Sequence, residues 1–272
     1  MRRRLMKIDF IKMQAAGNDY IFLDCLVKPE QDFSTIAKRL CKRRFSVGAD
    51  GLVALLPSEI ADAKMRIFNA DGSEAQMCGN AARCVGKLLY ESNYVKKSHI
   101  TLETAAGVRD IYLTVKNSKI EKISVDMGKV TLGEMFLYEN MGEKFEMREI
   151  HVGNEHQVSF VPDADYIDFE RLGESFEKNP RFAAGVNTEI CEILGKNHLK
   201  VRTYERGVGE TLACGTGACA AAVAAISRGA CPLSKQIRVT MRGGELFVFC
   251  DEMMRVRLMG DALKVYEGVA EV

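Results

Sequence analysis

Two segments half a chain apart constrain most strongly how this chain can fold. "FNADGSEAQMCGNAARC" from Phe68 and "YERGVGETLACGTGACA" from Tyr204 each read as a strand, a polar glycine-containing loop, Cys-Gly, and a helix of small residues. Aligned on Cys78 and Cys214, an offset of 136 residues, Phe68 falls on Tyr204, Glu74 on Glu210, Gly79 on Gly215 and Ala82 on Ala218. With 272 residues there is material for two domains of ordinary size. The repeat therefore predicts two similar halves, each presenting one cysteine at one helix start, with a cleft between them.

Strand-length apolar or alternating runs fill the rest: "KIDFIKM", "YIFLDCL", "GLVALL", "AKMRIFN", "HITLET" and "RDIYLTV" in the first half. The second half gives "REIHVG", "HQVSFVP", "LKVRTYE", "QIRVTMRGGELFVFC" and "MRVRLM", with a hairpin turn expected at Arg242–Glu245. Helical candidates are Ser34–Arg43, Asn80–Glu91, Asp168–Lys178 and Thr216–Arg228. Strands outnumber helices and many are joined by turns, which predicts an α+β architecture with mixed sheets rather than a doubly wound fold.

Composition narrows the function. The net charge of +1 leaves no basic field for nucleic acid, and no apolar run approaches membrane-spanning length. The opening "MRRRLMKIDF" lacks the apolar core of a signal peptide, so a cytoplasmic location is expected. Nine cysteines without C-x-x-C spacing, beside only four histidines, read as reduced thiols and speak against zinc. Cys84 and Cys219 fall inside helices as core residues, and Cys25, Cys41, Cys191, Cys231 and Cys250 read as structural.

Cys78 and Cys214 differ from these. A cysteine just before a helix lies where unpaired amides and the positive dipole end favour its thiolate, and such thiols fall from about 8.5 to roughly 3.5–7.5. A small capping residue is the bland alternative, and the repetition argues against it. His99, His151, His156 and His198 sit in no local signature that would supply a base to a cysteine hydrolase. Inversion at a carbon fits better: one thiolate removes a proton from one face, and one thiol returns a proton to the other. The amides of Gly79, Asn80, Gly215 and Thr216 would then receive the substrate carboxylate as charge spreads onto it. "GTGACA" at Gly215–Ala220 satisfies G-x-G-x-x-A, but lacks the preceding hydrophobic strand and the following acidic residue of a dinucleotide site.

These residues resemble the diaminopimelate epimerase family of pyridoxal-independent amino-acid racemases. The match adds "AGNDYIFLD" at Ala16–Asp24, "VGADGL" at Val47–Leu52, "GNEHQVSFV" at Gly153–Val161 and "GVNTEI" at Gly185–Ile190 to the two cysteine segments. The resemblance implies that Cys78 and Cys214 are the two acid/base groups. It also implies a fold of two pseudo-symmetric domains, each a curled, barrel-like mixed sheet around a central helix, with the site in the interdomain cleft. By the same resemblance, Asn18, Asn69, Asn154, Asn187 and Arg206 hold the substrate, and Glu205 and His156 orient it. No cofactor or metal is implied, and the partner is a small diamino dicarboxylate, with room for a homodimer. The expected division is residues 1–122, with 264–272 returning to them, and residues 123–263.

Four positions depart from the family pattern: Gln14-Ala15 in place of His-Gly, Glu155 in place of proline, and Gly51 in place of a glutamine found in some members. Glu155 adds charge beside a substrate-facing Asn and His, so a relative acting on another amino acid, such as a histidine racemase, stays an alternative. A thiol redox protein or an amino-acid-binding module is the alternative of another class.

Overall fold

The computed structural model describes residues 7–27 and 32–271. The chain divides into two compact units, one formed by residues up to Val125 with those from Gly260 onwards, the other by Asp126–Met259.

In the first unit, β1 (Lys7–Ala15) and β2 (Asn18–Asp24) form a hairpin. Its two turn residues, Ala16 and Gly17, have φ of 52° and 86°, and Gln14 Oε1 accepts the Gly17 amide at 3.1 Å. Helix α1 (Phe33–Leu40) carries β2 across to a parallel β3 (Gly51–Leu56). β4 (Ala63–Asn69) returns antiparallel and pairs with the short β5 (Glu74–Ala75). Helix α2 (Gly79–Glu91) leads to β6 (His99–Thr104), parallel to β4, then β7 (Gly107–Lys116) and β8 (Lys119–Lys129) follow as antiparallel neighbours. The last strand, β18 (Leu263–Glu271), pairs antiparallel with β1.

The second unit repeats this order. β9 (Thr131–Asn140) pairs with β10 (Glu143–His151), and β10 with β11 (Glu155–Phe160). Helix α3 (Phe169–Glu177) crosses to a parallel β12 (Asn187–Gly195), followed by antiparallel β13 (His198–Glu205) and β14 (Gly209–Thr211). Helix α4 (Gly215–Ser227) crosses to β15 (Gln236–Met241), parallel to β13, then β16 (Gly244–Cys250) and β17 (Arg255–Gly260) follow. The β15–β16 hairpin closes through Met241↔Gly244, leaving Arg242-Gly243 as the expected turn.

The 136-residue offset holds at the level of register. Phe68↔Glu74 reappears as Tyr204↔Glu210, and Tyr20↔Gly51 as His156↔Asn187. Helices α2 and α4 also start 136 residues apart and are both 13 residues long.

Each unit buries its second helix against its own strands. Alanine, glycine and cysteine from Gly217 to Ala225, with Val223 among them, leave α4 buried all round and let β10, β11, β12, β13, β15 and β16 approach it closely. Adding methylenes there, as in Ala221→Leu, would overpack the core at a cost of about 1–3 kcal/mol. By contrast α1 is amphipathic: Phe33, Ile36, Ala37 and Leu40 are buried on one face, and Asp32 caps the start by accepting the Thr35 amide at 3.1 Å. Asp168 caps α3 in the same way through the Arg171 amide.

All four helices fall where the sequence places them, within three residues at each end. Strands β5, β8, β9, β12, β14 and β18 went unread. β9 and β18 are exposed along most of their length, so they carry no buried face to imprint a period of two, and their pairing with β10 and β1 forms them.

Candidate active site

The sequence places one cysteine at the start of each central helix, and the structure gives the two distinct surroundings. Cys78 is the residue before α2, with extended backbone (φ −140°, ψ 121°) and no side-chain hydrogen bond to the helix. The capping explanation therefore fails for it. Its sulfur is half-buried and lies 3.1 Å from the hydroxyl of Tyr20 on β2. The Tyr20 ring is buried, and burial, then the negative charge of Cys78, push the phenol well above its ordinary value. Tyr20 accordingly keeps its proton and shares a hydrogen bond with the sulfur, while Asn18 hydrogen-bonds the same phenol.

Asn80 follows in the first turn of α2, wholly buried, with Oδ1 accepting from Arg83 at 2.8 Å. The first bond from the α2 start runs from the Ala82 amide to the Cys78 carbonyl, so the Gly79 and Asn80 amides have no partner within the helix. Asn69, at the end of β4, is exposed and donates to Ser73 Oγ at 3.0 Å. Gly51 packs where a Cβ would come within 2.7 Å of the Phe68 carbonyl oxygen, so a side chain there would force β4 to move.

Cys214 precedes α4, also extended (φ −117°, ψ 119°), but here the sulfur does cap the helix. It accepts the Gly217 amide at 3.3 Å and lies 3.3 Å from Thr216 Oγ1. Burial, then the neighbouring Glu205 and Glu189 carboxylates, push the Cys214 thiol well above its ordinary value. This corrects the expectation from the helix start alone: desolvation and two like charges outweigh the dipole and the capping amide. Glu205, at the end of β13, has its own carboxyl pushed up by burial while it accepts from Thr211 and hydrogen-bonds Cys214.

His156 on β11 has no exposed surface, and its ring is held at both ends, Nδ1 by Glu189 Oε1 at 2.9 Å and Nε2 by Asn154 Oδ1 at 3.0 Å. Asn187 uses both ends of its amide on the protein, donating to the Glu155 carbonyl at 2.9 Å and accepting the Arg206 amide at 3.1 Å. Arg206 is exposed, donates to the Ala184 carbonyl at 3.2 Å, and forms no ion pair with Glu205. Glu155 turns its carboxylate to His151, 3.1 Å away, and so directs its charge away from Asn154 and His156.

Within the first unit the structure thus joins Asn18, Cys78, Gly79 and Asn80. Within the second it joins Asn154, His156, Glu205, Cys214, Gly215 and Thr216, with Asn187 and Arg206 bracing each other alongside. Tyr20 and Glu189 are the residues that sequence reasoning missed. The signal was present, because the offset that pairs Cys78 with Cys214 also pairs Tyr20 with His156. All nine cysteines are free thiols. Among the described residues no group of three or more His, Cys, Asp or Glu side chains is arranged to hold a metal, and no helix is long and apolar enough to cross a membrane.

The fold is shared with solved structures of low sequence identity. A PhzF-family phenazine biosynthesis protein from Bacillus anthracis superposes with a TM-score of 0.78 at 19% identity, covering 97% of this chain and 99% of that one. A probable proline racemase from Agrobacterium radiobacter gives 0.77 at 17%, covering 97% and 92%. Sequence relatives are much nearer. The diaminopimelate epimerase of Acetivibrio thermocellus is 40% identical over 97% of this chain and 98% of its own length. That of Pelotomaculum thermopropionicum is 42% identical over 95% and 97%. The sequence profile of the family described as Diaminopimelate epimerase matches residues 10–133 and 149–265. With the profile covering both cysteine helices and relatives matched end to end, the chain belongs to the diaminopimelate epimerase family.

Proposed function

We propose that this protein interconverts LL- and meso-diaminopimelate by a two-base reaction, with Cys78 and Cys214 as its acid/base groups. It would serve lysine and cell-wall precursor synthesis in the cytoplasm, a reducing compartment suited to nine free thiols. The observation that carries the reading is the pairing of family membership with a free cysteine at the start of each central helix.

The Cα–H bond breaks as a thiolate takes the proton, and the electron pair moves onto the substrate's carboxylate. The amides of Gly79, Asn80, Gly215 and Thr216 supply donors for that charge. The other cysteine then gives its proton to Cα from the opposite face, which inverts the centre and leaves the two sulfurs with exchanged roles. The thiol of Cys214, held protonated by burial and by its carboxylate neighbours, begins as donor. Cys78, with the Tyr20 hydroxyl directed at its sulfur, begins as base. Both sulfurs return to their starting forms when the proton comes back, so the cycle draws on no cofactor. Asn18, Asn69, Asn154 and Arg206 supply amides and a guanidinium for the polar ends of a diamino dicarboxylate.

Incubation with diaminopimelate in deuterated water tests this. Deuterium should enter Cα without added cofactor, and both Cys78→Ala and Cys214→Ala should lose epimerisation. Full activity in either variant would overturn the two-thiol assignment. Turnover of histidine but not diaminopimelate would overturn the substrate.

A further inference from the structure

Glu189 on β12 stands in the "GVNTEI" segment but not among the candidate site residues. It has no exposed surface; Oε1 is bonded to His156, and Oε2 is enclosed with no hydrogen-bond partner among the described residues. The carboxylate lies against the first turn of α4, where a Cβ on Gly217 would come within 2.5 Å of Oε1. The Gly217 amide in turn donates to the Cys214 sulfur. Glu189 therefore touches both the His156 ring and the backbone that caps Cys214.

Packing alone would not choose this residue. A buried carboxylate with an unsatisfied oxygen is costly, and an apolar side chain of similar size is commonly as stable or more so. The first unit makes the point within the same fold. Its equivalent strand position is Val53, opposite Ile67 as Glu189 is opposite Thr203, and it is fully buried. The topology accepts valine there; the carboxylate is particular to the Cys214 half.

Resting on the two-thiol reading above, we propose that Glu189 is a positioning residue for Cys214. It ties the His156 ring to the first turn of α4, whose Gly217 amide caps the sulfur, and so establishes Cys214 as the proton donor. The other titratable group beside Cys214 is Glu205 from β13, on which His156 of β11 acts in turn, and the atoms nearest a Cβ on Gly217 are those of Glu189.

The test follows the Cβ resonances of 13C-labelled cysteine against pH, with Cys214 assigned by its loss in Cys214→Ala. Glu189→Gln keeps an oxygen for His156 and removes the charge. It should lower the Cys214 titration midpoint by about one pH unit, a tenfold change in thiolate fraction, and leave that of Cys78 in place. Gly217→Ala pushes the same carboxylate away from the helix and should move Cys214 in the same direction, which decides the matter should the glutamine variant not fold. An unmoved Cys214 midpoint in the folded variants would overturn the proposal, as would an equal shift at Cys78. The titration needs no substrate, so a failure of the epimerase reading would appear separately, as full activity in a cysteine-to-alanine variant.

Discussion

Cys78 and Cys214 hold the same place in two copies of one topology, yet their surroundings have opposite character. Beside Cys78 stands a phenol hydrogen-bonded to its sulfur, and Arg83 is buried in the helix that follows. Beside Cys214 stand two carboxylates, and the sulfur is occupied in capping its helix. The repeated backbone provides a helix start twice. Side chains at equivalent strand positions then set the acid/base character: Tyr20 against His156, Val53 against Glu189, and Asn69 against Glu205. On the two-thiol proposal, a symmetric fold would thus hold one proton donor and one proton acceptor, the inequality that inversion by two thiols requires.

Removing either sulfur breaks the comparison most severely. Cys78→Ala and Cys214→Ala are each expected to lose about 10²–10⁴-fold in epimerisation, read as deuterium entry at Cα. Tyr20→Phe deletes a hydrogen bond to a charged group, worth about 1.5–3 kcal/mol, so kcat/KM should fall about 10–100-fold. In that variant the Cys214 titration should stay put, and a shift there would show that the halves are not independent.

Glu205→Gln sharpens the other side. Burial raises the Glu205 carboxyl in the folded state, so the folded chain holds that proton to higher pH than the unfolded chain. Its contribution to stability is full below the ordinary carboxyl value and is lost as pH rises through the folded one. Urea unfolding at pH 4, 6 and 8 should show the glutamine variant gaining on the parent protein as pH rises, with the Cys214 midpoint lowered. Equal stability differences at all three would remove the carboxylate from the account. The smallest effect is expected from Thr216→Val, which takes a hydroxyl 3.3 Å from the Cys214 sulfur and should cost about 2–10-fold in kcat/KM.

Much of this was legible beforehand because it rests on local chemistry. The small residues after each Cys-Gly and the turn within Arg242–Glu245 are written over a few consecutive positions. Strands β9 and β18 were not legible, because an exposed strand needs its partner rather than its own pattern. Glu155 misled in another way: in sequence it stands between Asn154 and His156, but strand alternation turns it to His151 instead.

The sequence by itself determined that the chain is built twice, that each half opens a helix with a cysteine, and that the chain belongs to an epimerase family, on which the proposal of inversion by the pair rests. Only the tertiary structure decided which sulfur has which neighbours, and so how the two differ. The Tyr20 phenol and the Glu189 carboxylate reach the cysteines from strands tens of residues away, and burial, which raises the Cys214 thiol against the pull of its helix, is a property of the packed unit and of no stretch within it.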